Sequence, residues 1–300
     1  MRRAVDIFGR ILIGLGVVVL LFTAYQIWGT SIQEAHAQSA LRNTLVQETN
    51  NDQIRKALTD AAALAKLPTG PPVTAARTTA PPEGEPIGDI RIPVIGINQV
   101  VVEGTNTPDL RKGPGHYIGT PMPGQSGNAA IAGHRTTYGH PFYNLDAVKK
   151  GDPIVVTTLQ GIFVYDAMST QVVSPDDNKV IDNVPADWLT LTTCNPRFSA
   201  STRLIVHAQL AHSQLFPNSG LPPERARRAQ SNDLAGDSSI GLGGALFWGF
   251  LVVAVGVATL LVAHLYRRQR WLAYVVGAGG ILVLLWFFFG AVSPLLPASF

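Results

Sequence analysis

The stretch Leu189-Thr190-Leu191-Thr192-Thr193-Cys194-Asn195-Pro196 decides how the middle of this chain folds. Its first residues alternate Leu and Thr, the period-two pattern of a strand with one apolar face. Pro196 has no N–H to give a ladder, so the strand stops there and Cys194 lies at its end, beside a loop. Working outward, short β-rich runs of the same kind occupy residues 90–97, 100–102, 129–132, 153–158, 162–167 and 204–210. Gly, Pro, Asn and Asp turns punctuate them, and no long amphipathic helix intervenes. Residues 87–212 therefore read as one antiparallel β-barrel or sandwich of about seven or eight strands, large enough to bury its own core.

On either side the texture changes. Residues 11–28 carry no charge and follow Arg2, Arg3 and Arg10, which reads as a membrane-spanning helix with its N-terminus in the cytoplasm. A cleaved signal peptide competes, with Ala35-His36-Ala37 as the cleavage site, but the apolar run is longer than a usual signal core and favours an anchor. Residues 242–265 and 271–292 are two further apolar runs of spanning length, separated by the basic turn Tyr266-Arg267-Arg268-Gln269-Arg270. At about 20 residues or more each, they are poor candidates for a buried hairpin of a soluble core. The expected topology places residues 30–241 outside the plasma membrane, returns the turn 266–270 to the cytoplasm and leaves residues 293–300 outside.

Between the first span and the β-rich region, residues 30–86 read as a stalk helix followed, from Pro68, by a flexible Pro- and Thr-rich spacer. The spacing of Leu41, Leu45, Ile54, Leu58, Ala62 and Leu64 is helix-like but irregular. A second polar linker, 213–241, holds Arg225, Arg227 and Arg228 and spaces the domain from the membrane.

The formal net charge is only +3. Basic residues are scattered or sit beside the apolar runs, which excludes nucleic acid as a partner. There is one cysteine, so no intrachain disulfide can form, and a lone thiol outside the cytoplasm is a liability unless it has a task. On position alone, Cys194 as a small buried hydrophobe and Cys194 as a nucleophile are evenly matched. His134 follows Asn128-Ala129-Ala130-Ile131-Ala132-Gly133, again where a strand opens into a loop. Of the seven histidines, His140 in that same loop is its nearest rival. Arg203 begins the run Leu204-Ile205-Val206-His207, and a tight loop would return it alongside Cys194. Its guanidinium, always charged, can hold an oxyanion, with Arg197 in the intervening loop as the alternative. Nucleophile, proton-transfer partner and electrostatic stabiliser together form a working set for cysteine acyl transfer. No His or Cys spacing suits a metal, no cofactor is implied, and Asp176-Asp177 reads as a turn.

At this level the chain resembles the sortases, most of all the class E enzymes of actinobacteria. The resemblance rests on Thr190-Leu191-Thr192-Thr193-Cys194 followed by Arg203, with Ala132-Gly133-His134-Arg135 upstream. It extends to Ile92-Pro93-Val94-Ile95-Gly96-Ile97, Gly113-Pro114-Gly115-His116-Tyr117, and Leu145 with Lys149-Lys150-Gly151-Asp152.

The resemblance implies an eight-stranded β-barrel, here accompanied by three transmembrane helices. It also implies a transpeptidase that cleaves a C-terminal LPxTG- or LAxTG-type sorting signal of secreted proteins between Thr and Gly. Cys194 would carry the thioacyl intermediate, His134 would move the proton, and Arg203 would hold the carbonyl or its oxyanion. Thr193 and Arg197 would contact substrate, Thr193 through a hydroxyl or backbone donor. The acceptor would be an amine of a peptidoglycan precursor, and the lipid bilayer the other partner.

The paired C-terminal spans exceed the single anchor usual in that class. Leu296-Pro297-Ala298-Ser299-Phe300 begins like a sorting motif but lacks Thr-Gly, so the chain does not read as a sortase substrate. Two rivals stand beside this reading. One is a cysteine transpeptidase that cross-links peptidoglycan directly, whose Ser-His-Gly-Cys motif is missing here. The other is a catalytically silent membrane-tethered β-barrel binding module.

Overall fold

A computed structural model describes residues 2–47, 52–59, 68–78, 80–216 and 242–293. The expectations made for residues 62 and 64, for most of the linker 213–241 and for the tail 294–300 lie outside the described residues. The chain divides into two compact units, residues 1–29 with 238–299 and residues 30–237.

The first unit contains α1 (Arg2–Ala24), prolonged by a π-helical turn at Tyr25–Gly29. The second begins with α2 (Thr30–Gln47) and α3 (Asp52–Thr59). A barrel follows, made of β1 (Pro86–Ile92), β2 (Ile97–Glu103), β3 (Gly115–His116), β4 (Asn128–Ala132), β5 (Pro153–Thr158), β6 (Gly161–Val173), β7 (Trp188–Asn195) and β8 (Thr202–Leu215). Helices α5 (Leu242–Leu265) and α6 (Arg270–Val292) complete the first unit, and a one-turn α4 (Thr107–Leu110) lies between β2 and β3. Three helices, starting at Phe8, Leu242 and Arg267, are long and apolar enough to cross a membrane.

The eight strands close in the order β1-β2-β3-β4-β7-β8-β6-β5, leaving no free edge. The expected all-antiparallel pairing is corrected at two places: β2 runs parallel to β3, and β4 parallel to β7. Residues 90–97 are not one strand. Pro93 opens a 3-10 turn and Gly96 takes the left-handed conformation at φ +71°, open to a residue without a Cβ, so the run folds into the β1–β2 hairpin.

Alternation sorts the barrel into two faces. Ile90, Ile92, Val101, Ala129, Ile131, Leu189, Leu191, Leu204, Val206 and Ala208 fill the interior with Phe163 and Tyr165. On the outer face, Val100 and Val102 of β2 pack with Leu41 and Leu45 of α2, Ala57 and Leu58 of α3, and Phe216.

The supposed stalk is therefore a layer laid on the barrel. Gln38 seals it, donating to the carbonyls of Val100 and Lys112 at 2.9 and 2.8 Å and accepting from the Val100 N–H at 2.7 Å. Arg91, buried against Asp89 at 2.7 Å, donates to the carbonyls of Ala57 and Leu58 at the end of α3. The Pro-rich segment is likewise fastened down. Ala75 donates to the carbonyl of Gly124, Val73 bonds both ways with the Ser213 hydroxyl, and Gln125 and Gln160 donate to the carbonyl of Ala76. Backbone without a strand partner still has to satisfy its polar groups, and the barrel surface does so here.

In the first unit, Tyr25 packs edge-on against Trp286 at 5.0 Å and Phe22 against Phe289 at 5.1 Å, so α1 and α6 are neighbours. Trp248 of α5 stacks on Phe287 of α6 at 4.8 Å.

Candidate active site

The register of three adjacent strands gathers the candidate residues. Across β7 and β8, Cys194 is directly opposite Arg203, and opposed residues of an antiparallel pair sit about 4.5–5.5 Å apart at Cα with side chains on one face. Across β4 and β7, Ala132 is level with Thr192, and the ladder continues as the Gly133 N–H donates to the Thr192 carbonyl at 3.0 Å. His134 therefore comes level with Cys194, on the same face. Since Ile131 and Leu191 point inward, that face is the outer one, at one end of the barrel.

Loops cover it. Cys194, His134 and Arg203 are 4%, 1% and 5% exposed. The His134 loop turns back so that the Phe142 N–H donates to the His134 carbonyl. A Cβ on Gly133 would come within 2.6 Å of the Phe142 ring, which is why glycine precedes the histidine. The Tyr138 ring lies 5.1 Å from the imidazole, and the Arg111 guanidinium sits 5.6 Å over the Tyr138 ring. His140, the rival histidine, is exposed and packs edge-on against Tyr143.

The remaining predicted residues serve the frame of the site. Thr193 is in the inward phase and donates its hydroxyl to the Gly133 carbonyl at 2.7 Å, tying β7 to the strand that leads into His134. Arg197 stacks over Tyr143 at 4.6 Å, donates to its carbonyl at 3.1 Å and pairs with Asp146 at 2.9 Å. Arg203 donates to the carbonyls of Ala200 and Thr202, which holds its head group within the β7–β8 turn. Sequence reading gave no role to Arg135, Tyr138 or Asp146. Of these, Arg135 reaches the cysteine's own main chain, donating to the Cys194 carbonyl at 3.0 Å.

Burial pushes the Cys194 thiol up from its ordinary value, while the charges of Arg203 and then Arg135 draw it back. Among the described residues, no three His, Cys, Asp or Glu side chains gather as a metal cage would require.

The closed barrel brings a buried cysteine, a histidine just past β4 and an arginine to one end of three neighbouring strands, the residue types that cysteine acyl transfer employs. Residues 90–211 match the sortase domain, and in sequence the chain is similar to class E sortases of Streptomyces. It is 33% identical to sortase SrtE1 of Streptomyces coelicolor over 69% of this chain and 57% of that protein. It is 26% identical to sortase SrtE2 of the same organism over 75% and 89%. The chain thus spans little more than half the length of the first of these. The solved structure of sortase E from Streptomyces avermitilis shares 40% identity over 46% of this chain and 99% of that one, at a TM-score of 0.42.

Proposed function

We propose that the protein is a membrane-anchored cysteine transpeptidase that cleaves a C-terminal sorting signal of the LPxTG or LAxTG type between Thr and Gly. The acyl group then passes to an amine of a cell-wall precursor. The observation that carries this reading is the register that sets Arg203 opposite Cys194 and brings His134, two residues past the end of β4, to the same end of the barrel.

Cys194 Sγ attacks the Thr carbonyl carbon of the substrate, and negative charge gathers on its oxygen. The Arg203 guanidinium meets that charge in a site largely closed to water, where it counts for more than in solvent. Collapse breaks the Thr–Gly bond as His134 gives a proton to the departing Gly nitrogen, leaving a thioester on Cys194. The acceptor amine attacks this thioester, His134 takes its proton, and Cys194 departs as the thiolate with a new amide formed, which restores the starting state. Because burial favours the neutral thiol, the reactive thiolate is a minority species at neutral pH and its fraction rises with pH.

The charge pattern supports an exterior barrel. Arg2, Arg3 and Arg10 flank the start of the first span, and Arg267, Arg268 and Arg270 form the turn between α5 and α6; cytoplasmic loops collect such residues. Substrates are then secreted proteins bearing the signal, met at the outer surface of the bilayer.

The test uses full-length protein in detergent micelles with LPxTG and LAxTG peptides, an amine acceptor and mass spectrometry, beside Cys194→Ala. The expected result is cleavage between Thr and Gly with a ligated product that disappears in the variant. A folded protein giving neither thioester adduct nor product would overturn the enzymatic reading in favour of a binding module.

A further inference from the structure

The mechanism leaves Arg135 unused, yet its position is not that of a bystander. Its side chain is buried, a costly place for a permanent charge unless its donors find acceptors. Nη1 donates to the Cys194 carbonyl oxygen at 3.0 Å and to Asn195 Oδ1 at 2.7 Å. Nη2 lies 3.4 Å from Asp146 Oδ2, and Asp146 also receives Arg197 from the β7–β8 loop. One planar fork therefore joins the residue after the histidine to the main chain of the cysteine and to the loop beyond it. The bonds made by Thr193 and Gly133 fix the two strands one residue earlier. At Cys194 itself, Arg135 ties that carbonyl to the His134 loop.

We propose that Arg135 is a positioning residue that fastens the Cys194 backbone to the His134 loop and so sets the approach of thiol to imidazole. This rests on the reading of Cys194 as nucleophile. Proton transfer needs heavy atoms within about 2.6–3.2 Å, and a misplacement of about 1 Å can cost about a hundredfold in rate. A lysine at 135 would keep the charge but has one nitrogen in place of the planar fork whose two nitrogens reach the Cys194 and Asn195 acceptors and Asp146. Arg135 is also one of the two charges opposing the effect of burial on the thiol, which makes its charge and its geometry separable by experiment.

Full-length Arg135→Gln, Arg135→Lys and Asn195→Ala proteins in micelles provide the test, with thermal melts to measure the folded fraction. Cys194 is the only cysteine, so alkylation by iodoacetamide reports on it alone. For Arg135→Gln, the alkylation rate per folded molecule at pH 7 is expected to fall, because one of the two charges favouring the thiolate is gone, and kcat for ligation to fall by about ten- to a hundredfold. Arg135→Lys is expected to keep the wild-type pH profile of alkylation while losing kcat by about ten- to a hundredfold with KM within about twofold. Asn195→Ala, which leaves every charge in place, should show a smaller loss of kcat of the same kind.

Wild-type kcat in Arg135→Lys would overturn the proposal, as would losses that the unfolded fraction accounts for in all three variants. Should the wild type ligate nothing, the functional reading fails by itself, and alkylation still decides: an unaltered profile in Arg135→Gln overturns the placement of this charge at the thiol.

Discussion

Cys194 sits between opposing influences. Burial favours its neutral form, and Arg203, the larger effect of the two arginines, favours the thiolate. Arg203→Ala should therefore move the pH midpoint of Cys194 alkylation upward, slowing the reaction at neutral pH and leaving the rate at high pH close to wild type. Ligation should fall by about a hundred- to a thousandfold, as when an oxyanion-holding donor is lost, so stopped-flow alkylation and ligation rates would part company. Equal small losses in both would mean that Arg203 acts only on the thiol. The residue types here were legible because each stands where an apolar strand meets a loop: Cys194 before Pro196, His134 after Gly133, Arg203 before Leu204. Arg135 was not. Its acceptor is a backbone carbonyl 59 positions away, and no spacing rule connects a guanidinium to a main-chain oxygen across parallel strands.

Among the elements, α2 stands out because it serves both the core and the site. Leu45 is 1% exposed in the cluster with Val100, Val102 and Phe216, and Thr30 at the start of the helix accepts the Tyr138 N–H at 3.1 Å. Tyr138 in turn lies against His134. Leu45→Ala should cost about 2–5 kcal/mol, the range for a large-to-small change in a packed core. Denaturant melts would measure it, and activity should fall further than the folded fraction does because the His134 loop loses its outer support.

Glu34 gives the same helix a pH dependence. Its carboxyl packs against Gly139, and burial raises its pKa from the ordinary 4.5 to about 7. The folded state then holds a proton that the unfolded chain releases near pH 4.5, so stability is highest below that pH and declines as pH rises to about 7. Glu34→Gln should flatten this limb of the melting-temperature profile. A wild-type profile that rises from pH 5 to pH 7, with the variant parallel to it, would contradict the burial of a raised carboxyl here.

Reading this layer from sequence failed for a physical reason. The apolar residues of α2 are spaced irregularly because Gln38 and Arg42 share the buried side, making bonds with Val100, Lys112 and Leu58 that a hydrophobic pattern does not register. The strands were more legible, since alternation marks them. β3, only Gly115 and His116 long, is too short to show a period, and the parallel match of β4 to β7 depends on residues about 60 positions apart.

At the scale of the whole molecule, the three apolar helices and the arginines beside them constrain topology together. Within their own unit, α1 and α6 meet through Tyr25, Trp286, Phe22 and Phe289, and the Ser293 hydroxyl donates to Gln26 Oε1 at 3.0 Å. Lipid offers no water to satisfy such polar groups, so pairing them across helices favours one assembled bundle. With Arg2, Arg3 and Arg10 at one end and Arg267, Arg268 and Arg270 at the hairpin turn, the proposed topology puts both basic clusters on the cytoplasmic side. In the topology proposed above, residue 300 is on the same side of the membrane as residues 30–237. A phosphatase active only beyond the membrane should therefore be active when fused after Phe300, and a fluorescent protein that matures only in the cytoplasm should stay dark there. Replacing Arg267, Arg268 and Arg270 by glutamine removes half of this asymmetry, so a fraction of chains should fail to return the turn and leave residue 300 inside. The fluorescent fusion would brighten in proportion to that fraction. A bright fusion on the unaltered chain would instead mean that α5 and α6 do not cross as a pair, and the position of the barrel would then rest on α1 alone.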